Sequence, residues 1–259
     1  MPADAQLAEI VLVRPRNPLN IGAAARAMAN FGFSRLAVVA PYAPNWREAR
    51  SAIGADELLQ KAKRTESLAE AVADCTLVVA TGTLTRRKPE QRVVSLPELA
   101  PLVRQEIERG GRAALVFGPE KHGLTRDDLS YCHLLVEIPT DPRQPSMNLG
   151  QAVAVCLYEL AARSSKASLS TPALCTAPTE DKTAQPGPAT PCGDLERLAG
   201  LIGETMLTAG YSRSTMQAAN RRDLRLMLRR VAPGPRDCRR ILGLFRRILW
   251  RLKRVPKQD

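Results

Sequence analysis

The sequence predicts an α/β fold, a mostly parallel sheet covered by helices on both faces, followed by a small α-helical C-terminal extension. Three observations carry that expectation. Between residues 10 and 138, short β-rich and nearly continuous apolar runs alternate with segments of helical period, the pattern of strands buried on both faces and joined by crossover helices. A stretch rich in Ser, Thr, Pro and Ala over 164–193 then breaks the alternation, as a flexible linker does. Beyond it the chain returns to helical period and carries strong positive charge.

Taken in order, residues 1–9 read as a loose end. Strands are expected at 10–13, 36–40, 77–80, 113–117 and 134–138, and helices at 20–31, 68–73 and 96–107. A helix over 149–160 places Leu149, Val153, Cys156, Leu157 and Leu160 on one side, which serves either as a core face or in packing against a second subunit. The expected divisions are 1–163, the linker 164–193, and a basic helical extension over 194–259. Helices are expected there at 194–209, at 215–231 and from Pro235 through 250. In the last, Ile241, Leu244, Phe245, Ile248, Leu249 and Leu252 form an apolar stripe, while Arg239, Arg240, Arg246, Arg247, Arg251, Lys253 and Arg254 supply charge. Such a piece is a bundle with a solvated basic surface, or a surface for nucleic acid, membrane or an acidic partner.

Composition narrows the classes. The 259 residues are 44% hydrophobic, enough for a core without disulfides or metal, but only 4% aromatic, which leaves few platforms for stacked bases. The net charge is +12, favouring a polyanionic partner. From Gly193 onward there are 16 Lys and Arg against 6 Asp and Glu, whereas the preceding residues carry 22 against 20. The six cysteines (Cys75, Cys132, Cys156, Cys175, Cys192, Cys238) form no CxxC pair, so neither a zinc site nor a disulfide framework is expected. With no apolar run of about 18 residues and no cationic leader before an apolar stretch, neither membrane spanning nor secretion is expected. A reducing cytoplasm is the default compartment.

Three loops follow three of the expected strands. The first, RPRNPLNIGAAAR over 14–26, puts Asn20 where a helix N-cap belongs, Gly22 where backbone can approach closely, and Arg26 nearly two turns on. An arginine on a helix is usually a surface residue; behind this turn and beside Arg14 and Arg16 it can instead grip a phosphate. The second, FGPEKHGL over 117–124, frames Glu120 between Gly118 and Gly123 at a strand's carboxyl end, where open α/β sheets bind ligands; capping the next helix is the alternative role. His122 reads as decoration of that loop. The third runs from Ile138 to Gly150, with Ser146 and Asn148 at the entry to a helix, where capping again competes with function. No Gly-x-Gly-x-x-Gly fingerprint follows any expected strand, which weakens a dinucleotide-binding oxidoreductase reading.

Together, in order and at their separations, the three segments resemble the SPOUT (SpoU–TrmD) superfamily, specifically its TrmH/SpoU branch. That branch shows Asn-x-Gly-x-x-x-Arg, Phe-Gly-x-Glu-x-x-Gly-Leu and Ser-Leu-Asn motifs. The likeness covers roughly residues 8 to 163. The NPLNIGAAARAM start and the basic helical extension are most similar to the TrmJ-like subgroup, the tRNA cytidine/uridine 2′-O-methyltransferases. Met147 stands where Leu is usual, an apolar swap of similar volume.

The resemblance implies a C-terminal trefoil knot, one of the rare exceptions to unthreaded connections, with S-adenosyl-L-methionine bent inside it. Thr81, Gly82, Thr83, Gly118, Glu120, Ile138, Ser146, Met147 and Asn148 would then surround the cofactor. It also implies Arg26 as the catalytic arginine, with Asn20, Glu120, Ser146 and Asn148 orienting ribose and loops. The implied RNA-binding set is Arg14, Arg16, Arg26 and the run Arg86, Arg87 and Lys88. The partners are tRNA and a second copy of the chain in a homodimer, with no metal and no membrane. The implied reaction is methylation of a tRNA ribose, at the pyrimidine in position 32 of the anticodon loop. The alternatives are the same chemistry on rRNA and a catalytically inactive RNA-binding dimer.

Overall fold

The computed structural model describes residues 8–82, 89–165 and 189–254. Its sheet comprises β1 (Ala8–Val13), β2 (Arg35–Val39), β3 (Lys63–Thr65), β4 (Leu77–Thr81), β5 (Arg92–Ser95), β6 (Ala113–Phe117) and β7 (Leu134–Glu137). They lie in the order β3-β2-β1-β6-β4-β7-β5, and each adjacent pair is parallel. The apolar runs are explained by burial on both faces. Along β1, Ile10 and Leu12 enter one core cluster while Val11 and Val13 enter another; in β6, Leu115 and Phe117 oppose Ala114 and Val116 in the same way.

The first face is covered by α1 (Pro18–Phe31), α4 (Leu96–Glu108) and α6 (Leu149–Ser165). The expected face of α6 is in place, with Leu149, Val153, Cys156, Leu157 and Leu160 all buried. It meets α1 closely, because a Cβ added to Gly150 would lie 2.6 Å from the Cβ of Ala23. The start of α1 differs from expectation. Asn17, not Asn20, is the N-cap, its side chain accepting from the Leu19 N–H at 3.0 Å. Pro18 explains the shift, since it lacks an N–H and its fixed φ suits the first helical position. Gly22 does permit close approach, but to protein: its missing Cβ would stand 2.2 Å from Ser51 Oγ and 2.9 Å from the Ala52 nitrogen.

Among the described residues, the second face carries only α3 (Leu68–Ala71) and α5 (Arg126–Ser130) from this part of the chain. Short elements escaped the sequence reading: α2 (Asp56–Lys61), α5, and the edge strands β3 and β5, which read KRT and RVVS. Charged edge strands resist pairing with other chains but leave no apolar run to detect. β1 also begins at Ala8, inside the expected loose end, because Glu9 is buried beside Arg35 at 3.5 Å.

The extension is a bundle of α7 (Cys192–Thr208), α8 (Gln217–Val231) and α9 (Pro235–Arg254) around Leu195, Leu198, Ile202, Leu224 and Leu228. Its first helix begins within the expected linker. Cys192 enters the second core cluster, and the N–H groups of Cys192 and Gly193 donate to the carbonyls of Cys75 and Ala73, each at 2.9 Å. Residues 166–188 of that expected linker, with Cys175, lie outside the described residues. The apolar stripe of α9 is narrower than expected. Cys238, Ile241, Leu242, Phe245 and Leu249 pack or are buried, whereas Leu244 is 58% and Ile248 36% exposed. The reason is that α9 packs chiefly on α7, and one neighbour covers a stripe at i, i+3, i+4, i+7 and i+11 and leaves its flanks open.

The tight crossing of α1 and α6 gives a stability test. Gly150→Ala should cost about 1–3 kcal/mol by overpacking, measured by urea denaturation. The cost should shrink in an Ala23→Gly background, because the two sites share one contact.

Candidate active site

The carboxyl ends of β1, β6, β4 and β7 lie side by side, with Leu12 opposite Phe117, Val116 opposite Ala80, and Thr81 opposite Val136. Loops leaving these ends enclose an open cavity of about 240 Å³. Phe117, Leu124, Ile138, Met147 and Leu149 give it apolar walls, and Thr81, Gly82, Gly118, Glu120 and Ser146 also line it. Of the residues expected around a cofactor, Thr83 lies outside the described residues, as do Arg86, Arg87 and Lys88. Asn148 is placed beside the cavity without lining it.

The second loop closes on itself. A Cβ on Gly118 would sit 2.4 Å from the Leu124 nitrogen and 2.5 Å from the Gly123 carbonyl carbon. Gly123, at φ 62°, turns the chain back with its N–H on the Pro119 carbonyl at 2.9 Å, a conformation glycine adopts without a Cβ clash. This turn holds Glu120 against the first loop. One carboxylate oxygen accepts from the Arg16 N–H at 3.1 Å; the other accepts from the Asn17 N–H at 3.2 Å and the Asn20 amide at 2.8 Å. Partial burial works against the charge, but the Asn20 amide and the N–H groups of Glu120, Arg16 and Asn17 outweigh it and hold the carboxyl below its usual range. An ionised carboxylate so occupied organises loops; it is not placed to take a proton.

From Asn20 the chain of contacts continues. Its Oδ1 accepts from the Asn148 amide at 3.0 Å, and Asn148 Oδ1 in turn accepts from the Gly150 N–H at 2.9 Å and the Gln151 N–H at 3.4 Å, capping α6. Glu120, Asn20 and Asn148 thus tie the three loops in one line. Ser146 is exposed at the cavity. Capping and loop-tying are the same act for Asn148.

The arginines divide. Arg14, in the left-handed region at φ 47°, pairs through both terminal nitrogens with Asp128. Burial opposes the Asp128 charge, but the Arg14 guanidinium and the Thr125 N–H and hydroxyl keep that carboxyl low. Arg16 lies over the Tyr42 ring at 5.5 Å. Arg26 is exposed on α1, without a side-chain partner among the described residues, and does not line this chain's own cavity. Leu19 on the same helix is 52% exposed, and Tyr158 on α6 is 59% exposed and edge-on to Phe31. Sequence reasoning did not assign Asp128, Leu124, Thr140, Pro145 or Ala152 to the site; Leu124 closes the FGPEKHGL segment and Thr140 and Pro145 fall within the third loop, whereas Asp128 and Ala152 carried no signal. Lys121 and His122 also reach the cavity. Among the described residues no group of three or more His, Cys, Asp or Glu stands where it could hold a metal ion.

Comparison with known proteins places this architecture. The model of the SpoU rRNA Methylase family matches residues 8–158. A tRNA (cytidine/uridine/adenosine-2′-O-)-methyltransferase TrmJ of Pseudomonas aeruginosa is 40% identical over 152 residues, 58% of this chain and 59% of that protein. The tRNA (cytidine/uridine-2′-O-)-methyltransferase TrmJ of Salmonella typhimurium is 32% identical over 241 residues, 91% of this chain and 93% of that one. The crystal structure of TrmJ from Z. mobilis ZM4 superposes with a TM-score of 0.76 at 30% identity, covering 93% of this chain and 98% of that one. With the family model spanning the whole sheet and relatives aligned into the extension, the chain belongs to the SpoU rRNA methylase family.

Proposed function

We propose that this chain is an S-adenosyl-L-methionine-dependent tRNA 2′-O-ribose methyltransferase, acting in the cytoplasm as a homodimer on cytidine or uridine at position 32 of the anticodon loop. The observation that carries the reading is the Glu120–Asn20–Asn148 line, which joins three loops at the mouth of one apolar cavity. The activity of the TrmJ relatives supplies the substrate. The five described cysteines are all unpaired, which suits a reducing compartment.

The donor fits the residues present. Phe117, Ile138, Met147 and Leu149 offer apolar contact to a base, and Gly82 and Gly118 leave backbone groups approachable at adjacent strand ends. When bound, the donor supplies an electrophilic sulfonium methyl. The order of the sheet supports a trefoil knot, since β6 inserts between β1 and β4, and β7 between β4 and β5; late strands entering between earlier ones are what threading requires.

The chain's own residues do the rest. A ribose hydroxyl is a very weak acid and needs assistance as its proton leaves. A guanidinium is a poor base but a strong anion binder. Arg26 therefore grips the phosphate beside the target ribose and stabilises negative charge developing on the oxygen as its proton is lost to solvent. Because Arg26 does not line its own chain's cavity, it serves the cavity of a second copy. The close-packed α1 and α6, with Leu19 exposed on the first and Tyr158 on the second, form the pairing surface.

The direct test is methyl transfer from the labelled donor to purified tRNA and rRNA, with the modified ribose mapped. Label on the pyrimidine of the anticodon loop is expected; label confined to rRNA would favour the broader family's substrate, and donor binding without transfer the inactive dimer. Arg26→Ala should abolish transfer and leave donor affinity, read by calorimetry, unchanged. Mixing Arg26→Ala with Glu120→Ala subunits should restore about a quarter of wild-type activity through hybrid dimers; no recovery would place Arg26 in its own subunit's site. Replacing Arg240, Arg247 and Arg251 by Gln should weaken tRNA binding and flatten its dependence on log salt by roughly 0.7–0.9 for each phosphate no longer neutralised.

A further inference from the structure

The extension meets the rest of the chain at a charged junction that the proposed chemistry does not use. Arg225 of α8 is 5% exposed. Its Nε donates to Glu196 Oε2 at 2.8 Å and its Nη2 to Glu196 Oε1 at 3.0 Å, within the extension. Its Nη1 crosses to α5, donating to Asp127 Oδ1 at 2.9 Å and Ser130 Oγ at 3.3 Å. The guanidinium plane lies 3.9 Å over the Tyr131 ring. Arg221 also pairs with Glu196, and Arg229 donates to the Arg225 carbonyl.

Such a cluster is a costly way to glue two surfaces, because apolar residues of equal volume often stabilise as well or better. What it supplies is direction. A guanidinium with a bidentate carboxylate on one side, a carboxylate and hydroxyl on the other and a ring beneath it fits one relative orientation. The partner helix is informative. Asp127 and Asp128 are neighbours on α5, and while Asp127 holds Arg225, Asp128 holds Arg14 at the end of β1. Arg14 precedes by two residues the N–H of Arg16 that Glu120 accepts. A groove of about 640 Å³ between α5 and α8, lined by Thr125, Arg126 and Arg222, shares Leu124 with the donor cavity.

We propose that Arg225 is a positioning residue for the reaction: it clamps the basic extension to α5 and so fixes where bound RNA meets the donor cavity. The activity arm of this inference rests on the methyltransferase reading; the structural arm does not. Three variants separate the possibilities. Asp127→Asn weakens only the cross-junction pair at an exposed carboxylate, Arg225→Met removes the clamp, and Arg225→Lys keeps charge without the planar fork.

For all three the KM for tRNA should rise roughly 5- to 150-fold, the ordinary range of coupling between two sites, with kcat and donor affinity unchanged. Hydrogen exchange at the Cys192 and Gly193 amides should accelerate, while Leu198 and Ile202 in the bundle and Val116 in the sheet keep their protection. Wild-type KM and exchange in Arg225→Met would overturn the inference, as would full rescue by Arg225→Lys. Loss of protection throughout the bundle and sheet in Asp127→Asn would make the junction a folding element and overturn it too. If the wild-type protein transfers no methyl group to tRNA, the methyltransferase reading fails, and the exchange pattern alone decides the clamp.

Discussion

Four parallel strands ending side by side leave a row of loops whose backbone groups need partners, and one carboxylate meets much of that need. Glu120 takes the N–H groups of Arg16 and Asn17 and the amide of Asn20. It can do so because the Gly118–Gly123 turn doubles back tightly enough to present it to the neighbouring loop. Once the Asn20 amide is spent on Glu120, its oxygen is left to accept from Asn148, and the third loop is fixed by the cap of α6. Charge, turn and cap are parts of one constraint. Protonating Glu120 would weaken the acceptor that begins the line, so the low carboxyl pKa maintains loop order at neutral pH.

The α5 helix gives this constraint a second support. Five residues long, it presents Asp128 to Arg14 on one side and Asp127 to Arg225 on the other. Its Thr125–Asp128 capping box orients Asp128, whose Oδ2 accepts from both the N–H and the hydroxyl of Thr125 at 2.7 Å. A helix too short to be stable alone is thus held by tertiary contacts. Through it the strand end, the turn around Glu120 and the extension share one scaffold.

What the sequence disclosed follows from what buries apolar surface. β1, β2, β4, β6 and β7 were legible because both their faces are covered, leaving runs such as LAVV and AALVF. The face of α6 was legible for the same reason, with period 3.6 in place of continuity. β3 and β5 were not, since edges are polar by necessity. Glu120, Asn20 and Asn148 stood out by type and spacing, but their mutual bonds, across separations of 100 and 128 residues, exist only in the fold. Asp128 and Arg225 had no local signal at all; each was one charge among many. Arg26 is the reverse case, conspicuous in sequence yet exposed on α1 and absent from the lining of the cavity.

The basic surplus of the extension also reads differently once partners are assigned. Arg221 and Arg225 are neutralised by Glu196 and Asp127, and Lys253 by Glu204. Those charges hold the extension together or to the rest of the chain, and are not available to a polyanion. Arg247 and Arg254 bracket the Trp250 ring at 4.3 and 4.0 Å, while Arg236, Arg239, Arg240, Arg246 and Arg251 have no carboxylate partner among the described residues. Positive charge is therefore partly sorted by helix: α8 commits Arg221 and Arg225 to carboxylates while Arg222 and Arg230 have no carboxylate partner among the described residues, and α9 keeps most of its arginines without one. On the proposed reading, counterion release would reward only the unpaired set, and that set would direct RNA to the cavity only while the paired set holds the extension in place.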